Sequence, residues 1–238
     1  MPATIHVGGQ AFHRVREYKH DFFAATGLYA NGTERMVLKM GRQAPLLGVP
    51  LLFIGKFLSK REGRLLQAAA GVPGIPGTFG IVQTTGLLRE YVDGAPLGRK
   101  DVPGDDFFPS LAGMLEALHA RGMAYVDLEK PENILRGQDD KPYLIDFQIS
   151  WMKAGWLGKR WPYRPLLRIL QESDRYHLFK HWRRSRPDQL DAGAVEKYGR
   201  PPFWIRWHRF FFRPITLFRR QVLVWLGARE SVRGRSPG

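Results

Sequence analysis

The stretch YVDLEKPENILRGQDDKPYLIDF, residues 125–147, decides the fold. It holds two short apolar runs, each of which reads as a strand, and around them stand Asp127, Asn133 and Asp146. Two carboxylates and an amide delivered to strand ends form a hard-oxygen donor set suited to Mg²⁺ and phosphate. Singly, each is an ordinary strand-end or turn residue, and the order of the set is what carries chemical information.

Working outward from that stretch, DFFAATGLYANGTERMVLKM (21–40) reads as a hairpin around the turn signal Asn31-Gly32, its second strand ending near Lys39. SKREGRLLQAAAG (59–71) reads as a helix with Ser59 as N-cap and Gly71 as its stop. VPGIPGTFG (72–80) is turn-rich, and IVQTTGLLREYVDG (81–94) is strand-like, ending in Asp93-Gly94. In DDFFPSLAGMLEALHARG (105–122), Phe108, Leu111, Leu115 and Leu118 recur at three- and four-residue spacing, which predicts an amphipathic helix closed by Gly122. The strings VGG (7–9) and AGVPGIPG (70–77) read more readily as turns than as phosphate cradles, and His119 as a structural residue near the helix end. No internal repeat or low-complexity tract appears, and the order of elements suits an α+β, two-lobed arrangement.

Composition sets the limits. The chain has 238 residues, 44% hydrophobic and 25% charged, enough for one sizeable core or two small lobes. It has no cysteine, which excludes disulfides, thiolate metal sites and cysteine nucleophiles. The first residues carry no apolar run of signal-peptide length, and no segment gives about 18 uncharged apolar residues in a row. A cytoplasmic protein without a membrane span is therefore expected. The net charge of +15 is uneven: residues 1–150 hold 17 Lys/Arg against 16 Asp/Glu, and residues 151–238 hold 20 against 6. All seven tryptophans fall in that second segment, so basic charge and amphipathic rings arrive together.

A helix ending LHARGMAYVDL (118–128), followed by KPENIL (130–135) and YLIDF (143–147), resembles the catalytic core of the protein-kinase-like superfamily, whose pattern is H-R-D-L-x-x-x-N and then D-F-G. Upstream, MVLK (36–39) stands where the superfamily has V-A-I-K. REGRLLQAAAGVPGIP (61–76) resembles the helix that carries that lysine's acidic partner, and LLREYVDGAPL (87–97) looks like the adenine-binding hinge. By this resemblance Asp146 chelates the Mg²⁺ that bridges the ATP phosphates, Asn133 supports the metal site, and Asp127 accepts or orients the proton of the acceptor hydroxyl. Lys39, paired with Glu62, fixes the α- and β-phosphates, Lys130 serves the transferred phosphate, and the C=O of Glu90 and N–H of Val92 read the adenine edge. Phosphoryl transfer asks a protein mainly for such positioning and charge neutralisation.

The departures are specific. Asn133 follows Asp127 by six residues where the pattern has five. Tyr125 and Val126 replace the motif's His and Arg, and Gln148 replaces its final Gly. Gly8, Gly9 and Gly27 are the candidates for a phosphate loop, without a G-x-G-x-x-G. Only 92 residues follow Asp146, with no A-P-E, so the peptide platform of ordinary protein kinases is not expected. The better comparison is with small lipopolysaccharide-core and RIO-like kinases, in which ESDRYHLFKHWRR (172–184) resembles a C-lobe helix and an aspartate at the position of Asp174 is structural.

The segment RPPFWIRWHRFFFRPITLFRRQVLVWLG (200–227) sets Arg206, Arg209 and Arg213 at helical spacing among rings, with Pro214 as a break. This suits an anionic membrane surface, or equally the completion of a short C-lobe core. Nucleic acid also fits the composition, although no recognised motif supports it. The expected organisation is an N-lobe over 1–92, a reduced C-lobe over 93–200 and a basic aromatic segment over 201–238. The expected function is an ATP- and Mg²⁺-dependent phosphotransferase acting on a hydroxyl of a membrane-associated sugar or glycolipid, peripheral on the inner face of the membrane. The alternatives are a RIO-like serine/threonine protein kinase and a non-catalytic scaffold at the membrane.

Overall fold

A computed structural model of the chain describes residues 1–20, 24–41, 51–153, 163–191, 193 and 195. The chain divides into two compact units, Met1–Arg200 and Pro201–Gly238. The basic aromatic segment, 201–238, lies outside the described residues.

The unit opens with β1 (Thr4–Val7), β2 (Gln10–His20), β3 (Ala24–Ala30) and β4 (Arg35–Gly41), then α1 (Leu51–Ala69), β5 (Thr78–Val82) and β6 (Gly86–Glu90). These strands form one antiparallel sheet in the order β1-β2-β3-β4-β6-β5. The hairpin around Asn31-Gly32 is present: the Asn31 side chain accepts from the Glu34 amide at 3.0 Å, closing the turn. Gly8 and Gly9, at φ +57° and +82°, make the two-residue turn between β1 and β2, where both positions need the left-handed region. That turn is at the Arg35 end of the sheet, away from Lys39, so it is not a cover for phosphates. Gly27 is inside β3, paired with Leu38, and is likewise no part of a phosphate loop. At the Lys39 end, β2 and β3 are joined by residues 21–23, which lie outside the described residues.

Two local expectations are corrected. The helix begins before Ser59 and runs Leu51–Ala69. Ser59 is therefore mid-helix rather than N-cap, and its buried hydroxyl donates to the Thr85 carbonyl at 2.7 Å, tying α1 to the sheet. Residues 81–94 do not form one strand: β5 and β6 are a hairpin that turns at Gln83, φ +54°.

The second lobe contains β7 (Gly94–Pro96), α2 (Phe107–Ala120), β8 (Met123–Ala124), a 3₁₀ turn (Pro131–Asn133), β9 (Ile134–Gly137), β10 (Pro142–Leu144), β11 (Trp151–Met152), α3 (Tyr163–Ser185) and a further 3₁₀ turn (Pro187–Gln189). β10, β9 and β7 form a small sheet, and β11 pairs with β8. As predicted, α2 buries Phe108, Leu111, Leu115 and Leu118. One core joins Leu65, Leu66 and Ala69 of α1 to these residues and to Tyr125, Ile134, Leu144 and Phe147. Its continuity across the lobes is reinforced by Arg121, whose guanidinium donates to the carbonyls of Ala68 and Ala70 at 3.1 and 2.8 Å. A second cluster of Ile5, Phe12, Tyr29, Met36, Leu38 and Leu88 covers the other face of the six-stranded sheet. Trp182 of α3 stacks on Phe108 at 5.5 Å, so this tryptophan serves the C-lobe core.

Candidate functional site

The two apolar runs of residues 125–147 are β9 and β10, paired antiparallel through Leu144 and Ile134. The pairing sets Asn133, just before β9, beside Ile145, just after β10: the Ile145 amide donates to the Asn133 carbonyl at 3.0 Å. Asp127 and Asp146 are delivered from either side of this ladder.

Asp146 meets Lys39 across the lobes. Lys39 Nζ is 2.7 Å from Asp146 Oδ1 and 3.0 Å from Oε2 of Glu62, which projects from α1 and is 2% exposed. Burial opposes the Lys39 charge, but Glu62 and Asp146 outweigh it, and its pKa is raised. Burial also pushes Asp146 up, yet Lys39 wins and holds it below the usual carboxylate range. Glu62 is the more enclosed carboxylate, and burial raises it despite the same ammonium. One cation between two carboxylates thus favours an ionised Asp146. Asp146 adopts φ +65°, a conformation aspartate tolerates better than most residues.

Asp127 collects its partners from its own loop. Oδ2 accepts from Lys130 Nζ at 2.7 Å and from Asn133 Nδ2 at 2.8 Å. The extra residue between Asp127 and Asn133 is taken up by the 3₁₀ turn, which Pro131 starts with its fixed φ and missing N–H. Lys130 also lowers the pKa of Asp146, so its ammonium reaches both carboxylates electrostatically. The structure therefore brings Lys39, Glu62, Asp146, Lys130, Asp127 and Asn133 together.

The loop before Asp127 is strained and held. Val126 has φ +72°, costly for a β-branched residue. Asp174, fully buried on α3, accepts from the amides of Tyr125 and Val126 at 2.8 and 2.7 Å and lies 3.0 Å from His119 Nε2. Tyr125, in the place of the motif's His, packs edge-on against Phe147 at 5.1 Å and donates its hydroxyl to the Ile145 carbonyl. Burial, then the Asp146 and Asp127 charges, push this phenol well above its ordinary pKa, which keeps it a donor.

Glu90 and Val92 lie at and just beyond the end of β6, where the chain passes from one lobe to the other. The Glu90 carboxylate accepts the Gly77 amide at 2.8 Å, and the Glu90 amide donates to the Gly77 carbonyl at 2.9 Å. Two further residues join the site that sequence reading did not single out. Arg89 is paired with Val37 across β4 and β6, one step along the same face from Lys39 and Leu87, and its guanidinium donates to the Glu90 carbonyl at 3.3 Å. That period-2 register could have found it. Arg61, next to Glu62, donates to the carbonyls of Gln148 and Ser150, the latter at 2.6 Å, and so locks α1 to the segment after Asp146. No local signal marks that contact.

The donor set fits a hard divalent cation. Asn133 commits its NH₂ to Asp127, and Asp146 commits Oδ1 to Lys39 and the Gln148 amide. Asn133 Oδ1 and Asp146 Oδ2 have no hydrogen-bond partner among the described residues, which leaves two oxygens of the kind Mg²⁺ prefers.

No protein-family model matches the chain, and no curated protein matches it in sequence. Among solved structures, the chain is similar to the Rio2 kinase of Chaetomium thermophilum, crystallised as an ADP/Mg²⁺-phosphoaspartate complex. The TM-score is 0.54 and the identity 15%, over 79% of this chain and 61% of that one. The chain thus spans about three fifths of the length of that relative. At this identity the likeness establishes fold: the protein is an α+β, two-lobed, protein-kinase-like fold with a reduced C-lobe.

Proposed function

We propose that the cleft between the lobes is the active site of an ATP- and Mg²⁺-dependent phosphotransferase with a hydroxyl acceptor. The observation that carries the reading is the convergence of Lys39, Glu62 and Asp146, drawn from β4, α1 and the segment after β10, beside the separate Asp127–Asn133–Lys130 cluster. The neighbour whose crystal held ADP and Mg²⁺ supports the same chemistry.

In this reading Lys39, held by Glu62, binds the nucleotide phosphates, while Glu90 C=O and Val92 N–H face the adenine edge. Asn133 Oδ1 and Asp146 would hold Mg²⁺, which when bound would supply neutralisation of phosphate charge. Asp127 uses its uncommitted Oδ1 to orient the acceptor hydroxyl and take its proton as the new O–P bond forms and the nucleoside diphosphate leaves. Lys130, paired with Asp127, offsets the negative charge between the two carboxylates.

The acceptor we assign is a sugar or glycolipid at an anionic membrane surface, with the protein peripheral on its cytoplasmic side. This rests on the charge split and on the arginines and rings of 201–238. The second reading is a RIO-like serine/threonine protein kinase, and the likeness to a Rio2 kinase bears on the kinase-like fold common to both readings. Incubation with Mg²⁺ and ATP labelled at the γ-phosphate, against glycolipid vesicles, free sugars and mixed protein, separates them. Label in lipid or sugar supports the first, label only in protein supports the second, and no Mg²⁺-dependent turnover with any acceptor leaves a scaffold. Flotation on acidic and neutral vesicles, with Arg206, Arg209, Arg213, Arg219 and Arg220 changed to Gln, tests the membrane contact. Equal binding to both vesicle types would remove it.

A further inference from the structure

Outside the cleft, the first unit contains a cavity of about 500 Å³ between α1, β11 and the start of α3, large enough for part of a lipid-sized ligand. The sequence of α1 explains it. Phe57, Lys60, Arg61, Arg64 and Leu65 recur at three- and four-residue spacing and line the cavity from one face of the helix. Glu62, on another face, meets Lys39 instead.

The lining has two parts. Leu65, Met152 and Leu167 make an apolar wall, extended by Trp151 and Tyr163, whose rings are 6.3 Å apart. Lys60, Arg64 and Lys153 supply cations, and no carboxylate lines the cavity among the described residues. None of these three has an ion-pair partner among the described residues, whereas Arg61 is committed to the Gln148 and Ser150 carbonyls. The apolar character continues outside: Phe53 and Phe57 on α1 are 77% and 60% exposed. A chain that exposes large rings beside an uncompensated basic pocket presents an amphipathic surface with a positive rim.

We propose that this cavity binds an anionic lipid, its phosphate on Lys60, Arg64 and Lys153 and the first part of its acyl chain along Leu65, Trp151 and Leu167. Charge complementarity selects the anion, and the apolar wall selects a lipid over a free phosphate. The site lies on the first unit, needs neither residues 201–238 nor phosphoryl transfer, and is distinct from the nucleotide cleft.

The full chain is titrated calorimetrically with dihexanoyl phosphatidic acid below its micelle concentration, with dihexanoyl phosphatidylcholine, and with inorganic phosphate. The expected result is saturable binding of the acidic lipid, at least about tenfold tighter than either comparator. Lys60→Gln combined with Arg64→Gln, both exposed positions, should weaken it at least about tenfold. Leu167→Gln should weaken lipid binding and leave inorganic phosphate unchanged. Thermal unfolding of each variant confirms that it folds. Three results each overturn the proposal: unchanged lipid affinity in the folded double variant, inorganic phosphate binding as tightly as lipid, or equal binding of the zwitterionic lipid.

Discussion

The two carboxylates of the cleft hold their cations in opposite ways. Asp127 is served by its own loop, by Lys130 three positions on and Asn133 six positions on. Asp146 is served by Lys39, 107 positions away, which in turn leans on Glu62, 23 positions from itself. Closing a loop of a few residues costs little entropy, so the Asp127 cluster forms wherever the 3₁₀ turn forms. The Lys39–Glu62–Asp146 cluster exists only when β4, α1 and the segment after β10 are packed together. Any change that loosens α1 should therefore disturb Asp146 before Asp127.

The largest expected effect on nucleotide binding is on the non-local side. Asp146→Asn should lower transfer by about 10²–10³-fold and abolish the Mg²⁺-dependent part of nucleotide affinity. Calorimetry with and without Mg²⁺ reads this, and unchanged Mg²⁺-dependent binding would detach Asp146 from the metal. The strained loop before Asp127 is held from α3, and Asp174→Ala leaves the buried Tyr125 amide and the Val126 amide without their acceptor. We expect a loss of about 2–4 kcal/mol in urea unfolding. A change under about 0.5 kcal/mol would show that Val126 keeps its positive φ without help.

His181 sharpens the contrast by pH. It is buried on α3, its Nε2 is 2.7 Å from the Leu128 carbonyl beside Asp127, and burial, only partly offset by that carbonyl, pulls its pKa down to about 4. Lys180 and Arg184 act in the same direction and Glu129 against it. The unfolded chain therefore takes up the proton first, near its ordinary value of about 6.5. Stability from this group is complete above that value, declines as pH falls toward about 4, and levels off below it, by on the order of 3 kcal/mol in all. Unfolding of the wild type and His181→Gln between pH 7 and 4 should show the gap closing with acid, and a pH-independent gap would refute the assignment. The smallest effect is expected for Lys130→Met. Its ammonium is half exposed, so transfer should fall only about tenfold, with nucleotide affinity nearly unchanged.

Much of this site was legible from the sequence because its marks are local or fall in a fixed order. YLIDF and KPENIL gave two strands with polar ends, and MVLK gave the lysine. What escaped depends on packing. Ser59 has the chemistry of an N-cap, but the Thr85 carbonyl takes its hydroxyl in mid-helix. The preceding residues hid the helix start, because Phe53 and Phe57 face outward and blur the amphipathic pattern. Gly8-Gly9 was readable as a glycine pair, but only strand register shows that it turns at the wrong end of the sheet to cover phosphates. Arg61 reaches a segment 87 positions away, which no local rule anticipates.

The most direct test of the division between a nucleotide side and an acceptor side is one set of titrations, Mg²⁺-ATP into the wild type, Lys39→Met and Asp127→Ala, with transfer measured on the same preparations. The account predicts that Lys39→Met loses at least about tenfold in nucleotide affinity, while Asp127→Ala binds like the wild type and transfers nothing measurable. Nucleotide affinity lost equally in both variants, or wild-type turnover in Asp127→Ala, would contradict it.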